Sequence, residues 1–173
     1  MMDIQYLLIQ DLSAYQEQLI ELLANCVADG ASLGFLPTEP KVHYAQYWSA
    51  VAVQLSQQNT FLWLAMQQGN IVGTVQLVRA TKANALHRAE IEKLMVDPEF
   101  RQRGIAYQLL ELAEQQAKHL GLRLLILDTR TGDVSEKLYL KFGFEKVGCI
   151  PQFALSHNGN LDATTLFYKL LKN

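Results

Sequence analysis

Two arginines, Arg101 and Arg103, stand beside Gly104 and Ala106 where a strand pattern gives way to a helical one. Residues 89–96 carry Ile91, Leu94, Met95 and Val96 with no breaker, and Asp97-Pro98 stops that run because proline offers no N–H to a sheet. From Gly104 the apolar residues Ile105, Leu109, Leu112, Ala113, Ala117 and Leu120 recur at helical spacing. A helix opening at this point presents unpartnered N–H groups and the positive end of its dipole, which suits an anion. The arginines add charge, and Gly104 and Ala106 leave room for a ligand to approach the backbone. In the strand before this loop, Glu90 and Glu92 alternate onto one face, where their carboxylates can accept a proton. Asp128, after the apolar run 123–127, is a second candidate base, because ligands of parallel α/β sheets gather at strand C-termini.

Other chemistries find no support. His43, His87, His119 and His157 form no His-x-x-x-His pair and have no cysteine cluster beside them, so no metal site is expected. There is no Gly-x-Ser-x-Gly elbow, no phosphate loop ending Gly-Lys-Ser/Thr, and no Gly-x-Gly-x-x-Gly. A formal net charge of −2 gives no electrostatic footprint for nucleic acid or an anionic membrane.

The loop Val96-x-Pro98-x-x-Arg101-Gln102-Arg103-Gly104-Ile105-Ala106 resembles the acetyl-CoA pyrophosphate loop of the GNAT superfamily of N-acetyltransferases. That resemblance implies acetyl-CoA as co-substrate, a primary amine as acceptor and a splayed central strand. The backbone of Leu94, Met95 and Val96 would receive the pantetheine arm. An alkylammonium (pKa ~10.4) must lose its proton before it attacks, and Glu90 matches the position where several GNAT enzymes place the base. The segment Leu138-Tyr139-x-x-x-Gly143-Phe144 resembles the family segment whose tyrosine acts as general acid toward the departing thiolate. The family often has an Asn seven residues earlier. Here Gly132 stands there, and its contact would fall to Ser135 or to water.

A narrower likeness joins Gly30-Ala31-Ser32-Leu33-Gly34-Phe35, the run 88–96, Leu127-Asp128-Thr129 and Lys146-Val147-Gly148. Together they resemble the tabtoxin-resistance acetyltransferases, which acetylate an amino-acid-like toxin. This implies Asp128 and Tyr139 as the acid–base pair, with Asp128 held in a partly desolvated cleft, while the alternative base Glu90 stays open. Phe35, Tyr44, Tyr47, Trp48 and Glu92 would wall the acceptor pocket. A catalytically idle acyl-CoA-binding sensor and a protein N-terminal acetyltransferase are the competing functions.

The elements that must position these groups follow in order. Strands are expected at 5–10, 60–66, 71–78, 89–96, 123–127, 144–150 and 163–170, with 151–162 a polar loop. Helices are expected after a Ser13 cap, at 42–55, from Gly104 to a stop at Gly121, and from a cap at Asp133 or Ser135 through Leu140. This predicts an α/β fold of GNAT type, a mixed, centrally splayed sheet of about seven strands flanked by four helices, in one domain over 1–173. With 173 residues, half of them apolar, the chain can build a full core. It has no basic-then-apolar start of a signal peptide and no apolar run near the ~20 residues of a membrane span. Cys26 and Cys149, far apart, read as reduced thiols. A cytoplasmic enzyme is expected, monomeric or homodimeric, acting on a small-molecule amine without nucleic acid or membrane.

Overall fold

The computed structural model describes residues 3–172; Met1, Met2 (the start of the stretch read for a signal peptide) and Asn173 lie outside the described residues. The elements run β1 (Gln5–Ile9), α1 (Gln16–Ala28), α2 (Lys41–Ser56), β2 (Thr60–Gln67), β3 (Asn70–Arg79), β4 (Arg88–Val96), α3 (Ile105–His119), β5 (Leu124–Arg130), α4 (Ser135–Phe142), β6 (Glu145–Leu155) and β7 (Leu161–Leu170). A single 3-10 turn, Pro98–Phe100, lies between β4 and α3. The seven strands form one sheet in the order β1-β2-β3-β4-β5-β7-β6. The α/β architecture of seven strands and four helices is therefore the expected one.

Two cores hold the sheet from opposite sides. On one face α3 and α4 pack Ile105, Leu109, Leu110, Ala113, Tyr139 and Phe142 against Ile91, Leu125, Leu127 and Phe167. On the other face α1 and α2 bring Leu19, Leu23, Tyr44, Trp48 and Leu55 against Leu62, Leu64, Ile71 and Met95. The helical spacing that marked α3 thus reports a real buried stripe. Its start and stop are both glycine turns, Gly104 at φ 79° and Gly121 at φ 70°.

All strand pairs but one are antiparallel. β4 and β5, joined through α3, run parallel but pair only over Arg88↔Leu124, Ala89↔Leu125 and Glu90↔Ile126. On its other edge β4 continues along β3, with Glu92 opposite Gln76 and Met95 opposite Thr74. Two β4 residues, Lys93 and Leu94, therefore face the one residue Val75, which is a bulge. Lys93 takes a left-handed conformation (φ 47°), and Thr74 Oγ1 donates to its carbonyl at 2.9 Å. Bending at this point carries the rest of β4 away from β5.

Four local expectations are corrected. Ser13 does not cap α1: Asp11 takes both its N–H and its hydroxyl at 2.9 Å, and the helix starts at Gln16 behind Tyr15. Neither Asp133 nor Ser135 caps α4 through its side chain. Asp133 pairs with Arg130 at 3.2 Å, and the Ser135 hydroxyl sits 2.8 Å from that of Thr129. β5 runs on to Arg130, so Asp128 lies within the strand and not at its end. Finally, Pro151–Leu155 belongs to β6, not to a loop. The register jumps from Ile150↔Thr164 to Ala154↔Asp162, so residues 151–153 bulge out of an edge strand, where a missing proline N–H costs nothing.

One glycine sets how closely α3 sits on the sheet. A Cβ on Gly73 of β3 would stand 3.1 Å from the Met95 carbonyl oxygen, 3.3 Å from Ile105 Cγ2 and 3.4 Å from Leu109 Cδ1. Gly73→Val is expected to lower stability by about 1–3 kcal/mol through overpacking, read as an earlier denaturant midpoint. An unchanged midpoint would mean that helix and strand do not meet so tightly.

Candidate active site

Where β4 leaves β5, a cleft of about 1280 Å³ opens, larger than the ~300–1,000 Å³ of drug-sized ligand pockets. It brings together Glu90, Glu92, Leu94, Met95, Val96, Arg101, Gln102, Gly104, Ile105, Ala106, Asp128, Ser135 and Tyr139 from the residues singled out in the sequence. No strand pairs with β4 on its β5 side beyond Glu90 among the described residues. An extended ligand can therefore lie along that edge like an added strand.

The loop at one end of the cleft has open backbone, but its arginines are not placed as expected. Asp97 Oδ1 accepts from Glu99 N–H at 3.0 Å and starts the 3-10 turn. Gln102 (φ 60°) and Gly104 (φ 79°) then swing the chain into α3, which has no side-chain cap at its N-terminus. Nothing lies within 4 Å of a Cβ placed on Gly104, so the space above it is open. The arginines serve the loop itself. Arg101 donates from Nε to Val96 O at 3.2 Å and pairs with Asp29 at 2.5 Å. Arg103 donates to Glu99 O at 3.2 Å and lies over the Phe100 ring, outside the cleft lining. What the loop offers an anion is therefore chiefly backbone N–H and the helix dipole.

Candidate acid and base groups sit on opposite faces of the sheet. Ile91 and Leu127 point into the α3 core, so Glu90, Glu92 and Asp128 point to the α1–α2 side. Tyr139 belongs to the α3 core, its ring 5.9 Å from Phe144 and 5.8 Å from Phe167. The β4–β5 gap is the aperture between them.

Burial raises the Glu90 carboxyl above the usual range, and the like charges of Glu92 and Asp128 push the same way. Burial also raises the Tyr139 phenol, with Asp133 and Asp128 adding to it, so it stays protonated. Asp128 is exposed, contrary to the desolvated setting expected of it, and the Thr164 hydroxyl lies 2.6 Å from its Oδ2.

The aromatic wall is corrected in part. Trp48 is fully buried and Tyr44 nearly so, both in the α1–α2 core and not on the cleft. Phe35 packs edge-on to Tyr44 at 5.0 Å and to Tyr47 at 5.6 Å, which pins the loop after α1. Phe35 also lines a second cavity of about 300 Å³, shared with Arg130 and His157. The two cavities have Gly30, Ala31, Ser32, Gly34, Arg130 and Ala154 in common.

Sequence reading missed Lys93, which lines the cleft with its ammonium 5.0 Å from the Tyr47 ring centroid. It missed Gln76, which donates to the Tyr47 hydroxyl at 2.9 Å. It also missed Arg130, which donates to Gly30 O at 2.9 Å and ties the loop after α1 to β5. The resemblance implies a splayed strand at Leu94–Val96, but nothing in it marks Lys93 as the residue turned inward. Among the described residues no cluster of three His, Cys, Asp or Glu is placed to hold a metal, and no helix is long and apolar enough to cross a membrane.

Residues 22–144, more than half of the chain, match the family model described as Acetyltransferase (GNAT) family. Human N-acetyltransferase 8 is 33% identical over 96 residues, covering 54% of this chain and 42% of that protein. The aminoalkylphosphonate N-acetyltransferase of Salmonella typhimurium is 30% identical over 112 residues, covering 61% of this chain and 70% of that one. The chain thus spans under half the length of the first relative. A putative acetyltransferase of Salmonella typhimurium solved with acetyl-CoA superposes with a TM-score of 0.77 at 15% identity, over 99% of this chain and 95% of that one, which is a likeness of fold.

Glu90 carries a signature in stability. Its folded pKa lies above the ordinary glutamate value, so folding favours the neutral acid, and ionisation costs stability as pH rises through the folded pKa. Glu90→Gln, which mimics the neutral form, should raise the melting temperature at pH 7 and 8. The gain should vanish below about pH 4.3, where glutamate is protonated in the unfolded chain as well. A gain independent of pH would mean that it does not arise from the ionisation of Glu90.

Proposed function

The chain belongs to the GNAT family of acetyltransferases, and from that premise we infer that it moves an acetyl group from acetyl-CoA to the primary amine of a small molecule. The observation that carries the reading is the unpaired edge of β4 beyond Glu90, flanked by carboxylates on one face and a buried tyrosine on the other. Acetyl-CoA supplies an activated acyl carbon on a good leaving group. The backbone of Gln102–Ala106 holds its diphosphate, with Ser135 along the arm and Leu94–Val96 offering backbone partners to the pantetheine and thioester.

Glu90 is the better-placed base. Its raised pKa narrows the gap to an alkylammonium, and the carboxylates of Glu92 and Asp128 favour a cation arriving beside it. Asp128, half committed to Thr164, is the second candidate and orients the amine. Tyr139 donates a hydrogen bond to the departing sulfur. Full proton transfer from a phenol of raised pKa to a thiolate (thiol pKa ~8.5) is uphill, so the hydroxyl stabilises charge as the bond breaks.

The acceptor end supports a small amine. At Arg130 the cleft adjoins the 300 Å³ space beside Phe35 and residues 154–157, a volume suited to a small amine. The phosphonate-bearing amine in the name of the Salmonella relative and the likeness to tabtoxin-resistance enzymes support an amino-acid-like acceptor. The free thiols Cys26 and Cys149 suit the reducing cytoplasm.

A panel of amines with acetyl-CoA, followed by thiol release, tests the reading. Tyr139→Phe should lower kcat by about 10²–10⁴ and leave acetyl-CoA affinity unchanged, and Glu90→Gln should lower kcat/KM more than Asp128→Asn. Activity lost with Asp128→Asn and kept with Glu90→Gln would move the base to Asp128. Tight acetyl-CoA binding with no amine acetylated would instead mark an idle acyl-CoA sensor.

A further inference from the structure

We propose that Lys93 is itself an acetyl acceptor, and that without another amine the protein transfers an acetyl group from acetyl-CoA to its own Lys93 Nζ. This rests on the reading that the cleft takes acetyl-CoA. Lys93 is the bulge residue, immediately before the Leu94–Val96 backbone, and its left-handed conformation brings the side chain onto the cleft. Its ammonium lies on the α1–α2 side, over the Tyr47 ring, among the charges of Glu90, Glu92 and Asp128. It forms no ion pair with any described carboxylate. The other partly buried lysine, Lys169, is held by Glu114 at 2.5 Å and by Phe142 O at 2.7 Å and is not free to react.

Two properties suit this side chain to the role of acceptor amine. It is partly withdrawn from water, and that burial lowers its pKa despite three carboxylates acting the other way, so more of it is the reactive free amine. It shares a face with both candidate bases. In the step, Nζ gives a proton to the Glu90 carboxylate and its lone pair forms a bond to the thioester carbonyl carbon. The carbon–sulfur bond breaks, its electron pair leaves with the sulfur, and the second proton that Nζ sheds on becoming an amide passes through water to the CoA thiolate. The products are an acetamide on Lys93 and free CoA. The amide no longer offsets the charge of Glu90, Glu92 and Asp128, so the modified cleft is more acidic.

The experiment incubates the whole protein with acetyl-CoA and no added amine, then maps acetylated peptides by mass spectrometry. Lys82 and Lys137, both exposed and outside the cleft, serve as internal controls for uncatalysed acetylation. Lys93 should be acetylated roughly a hundredfold faster than either, the low end of base-assisted rates, and at a rate independent of protein concentration. Lys93→Arg should remove that peptide's modification and leave the controls unchanged. Lys93 acetylated no faster than Lys82 and Lys137, in a protein that binds acetyl-CoA by calorimetry, overturns the inference and leaves the proposed function standing. A rate that rises with protein concentration overturns transfer within one chain. Absence of acetyl-CoA binding overturns both.

Discussion

The separation of β4 from β5 is the constraint on which the rest depends. Parallel pairing lasts for three residues and stops at Glu90, because the bulge at Lys93 and Leu94 bends β4 while β5 stays paired with β7 as far as Arg130. Unpaired backbone inside a sheet is normally a liability, since each buried N–H or carbonyl without a partner costs free energy. Here the edge faces an open cleft. Gly73 lets α3 and the Met95 carbonyl come close from the other side, so the bend is backed by packed side chains and is not a loose end.

The electrostatics follow from that geometry. Groups at the opening are partly dry, and burial is the largest influence on both: Glu90 rises with Glu92 and Asp128 adding to it, and Lys93 falls against the pull of three carboxylates, each toward the neutral form. Each shift favours the neutral form of its group over a fixed ion pair. The loop at the other end uses its charges differently. Arg101 spends its guanidinium on Asp29 and the Val96 carbonyl, locking the end of α1 to the end of β4, and leaves anion recognition to main-chain N–H groups. A sheet that is open in the middle thus holds a rigid cradle at one end and titratable groups at the other.

Much of this was legible in the sequence where the signal is local. The breaker pair Asp97-Pro98, Gly104 and the stripe Ile105–Ala117 determine strand, turn and helix within a few residues. What depends on distant partners was not legible. Asp128 reads as the end of a strand until its pairing with Leu166 in β7 is known. Pro151 reads as a breaker, yet at an edge strand it only makes a bulge. Tyr44 and Trp48 have the composition of a pocket wall, but the 3.6-residue turn puts them on the core side of α2, leaving Tyr47 to face Lys93. Ser13 reads as a cap only because Asp11, two residues earlier, is not seen to hold it.

The central claim is that acetyl-CoA completes the sheet at the β4 edge. Hydrogen exchange of the backbone amides, with and without acetyl-CoA, tests it most directly. The account predicts slowed exchange in two segments only, the β4 edge at 94–96 and the loop at 102–106, with β1, β2 and α2 unchanged. Protection in β1, β2 or α2 with no change at 94–96 would contradict it.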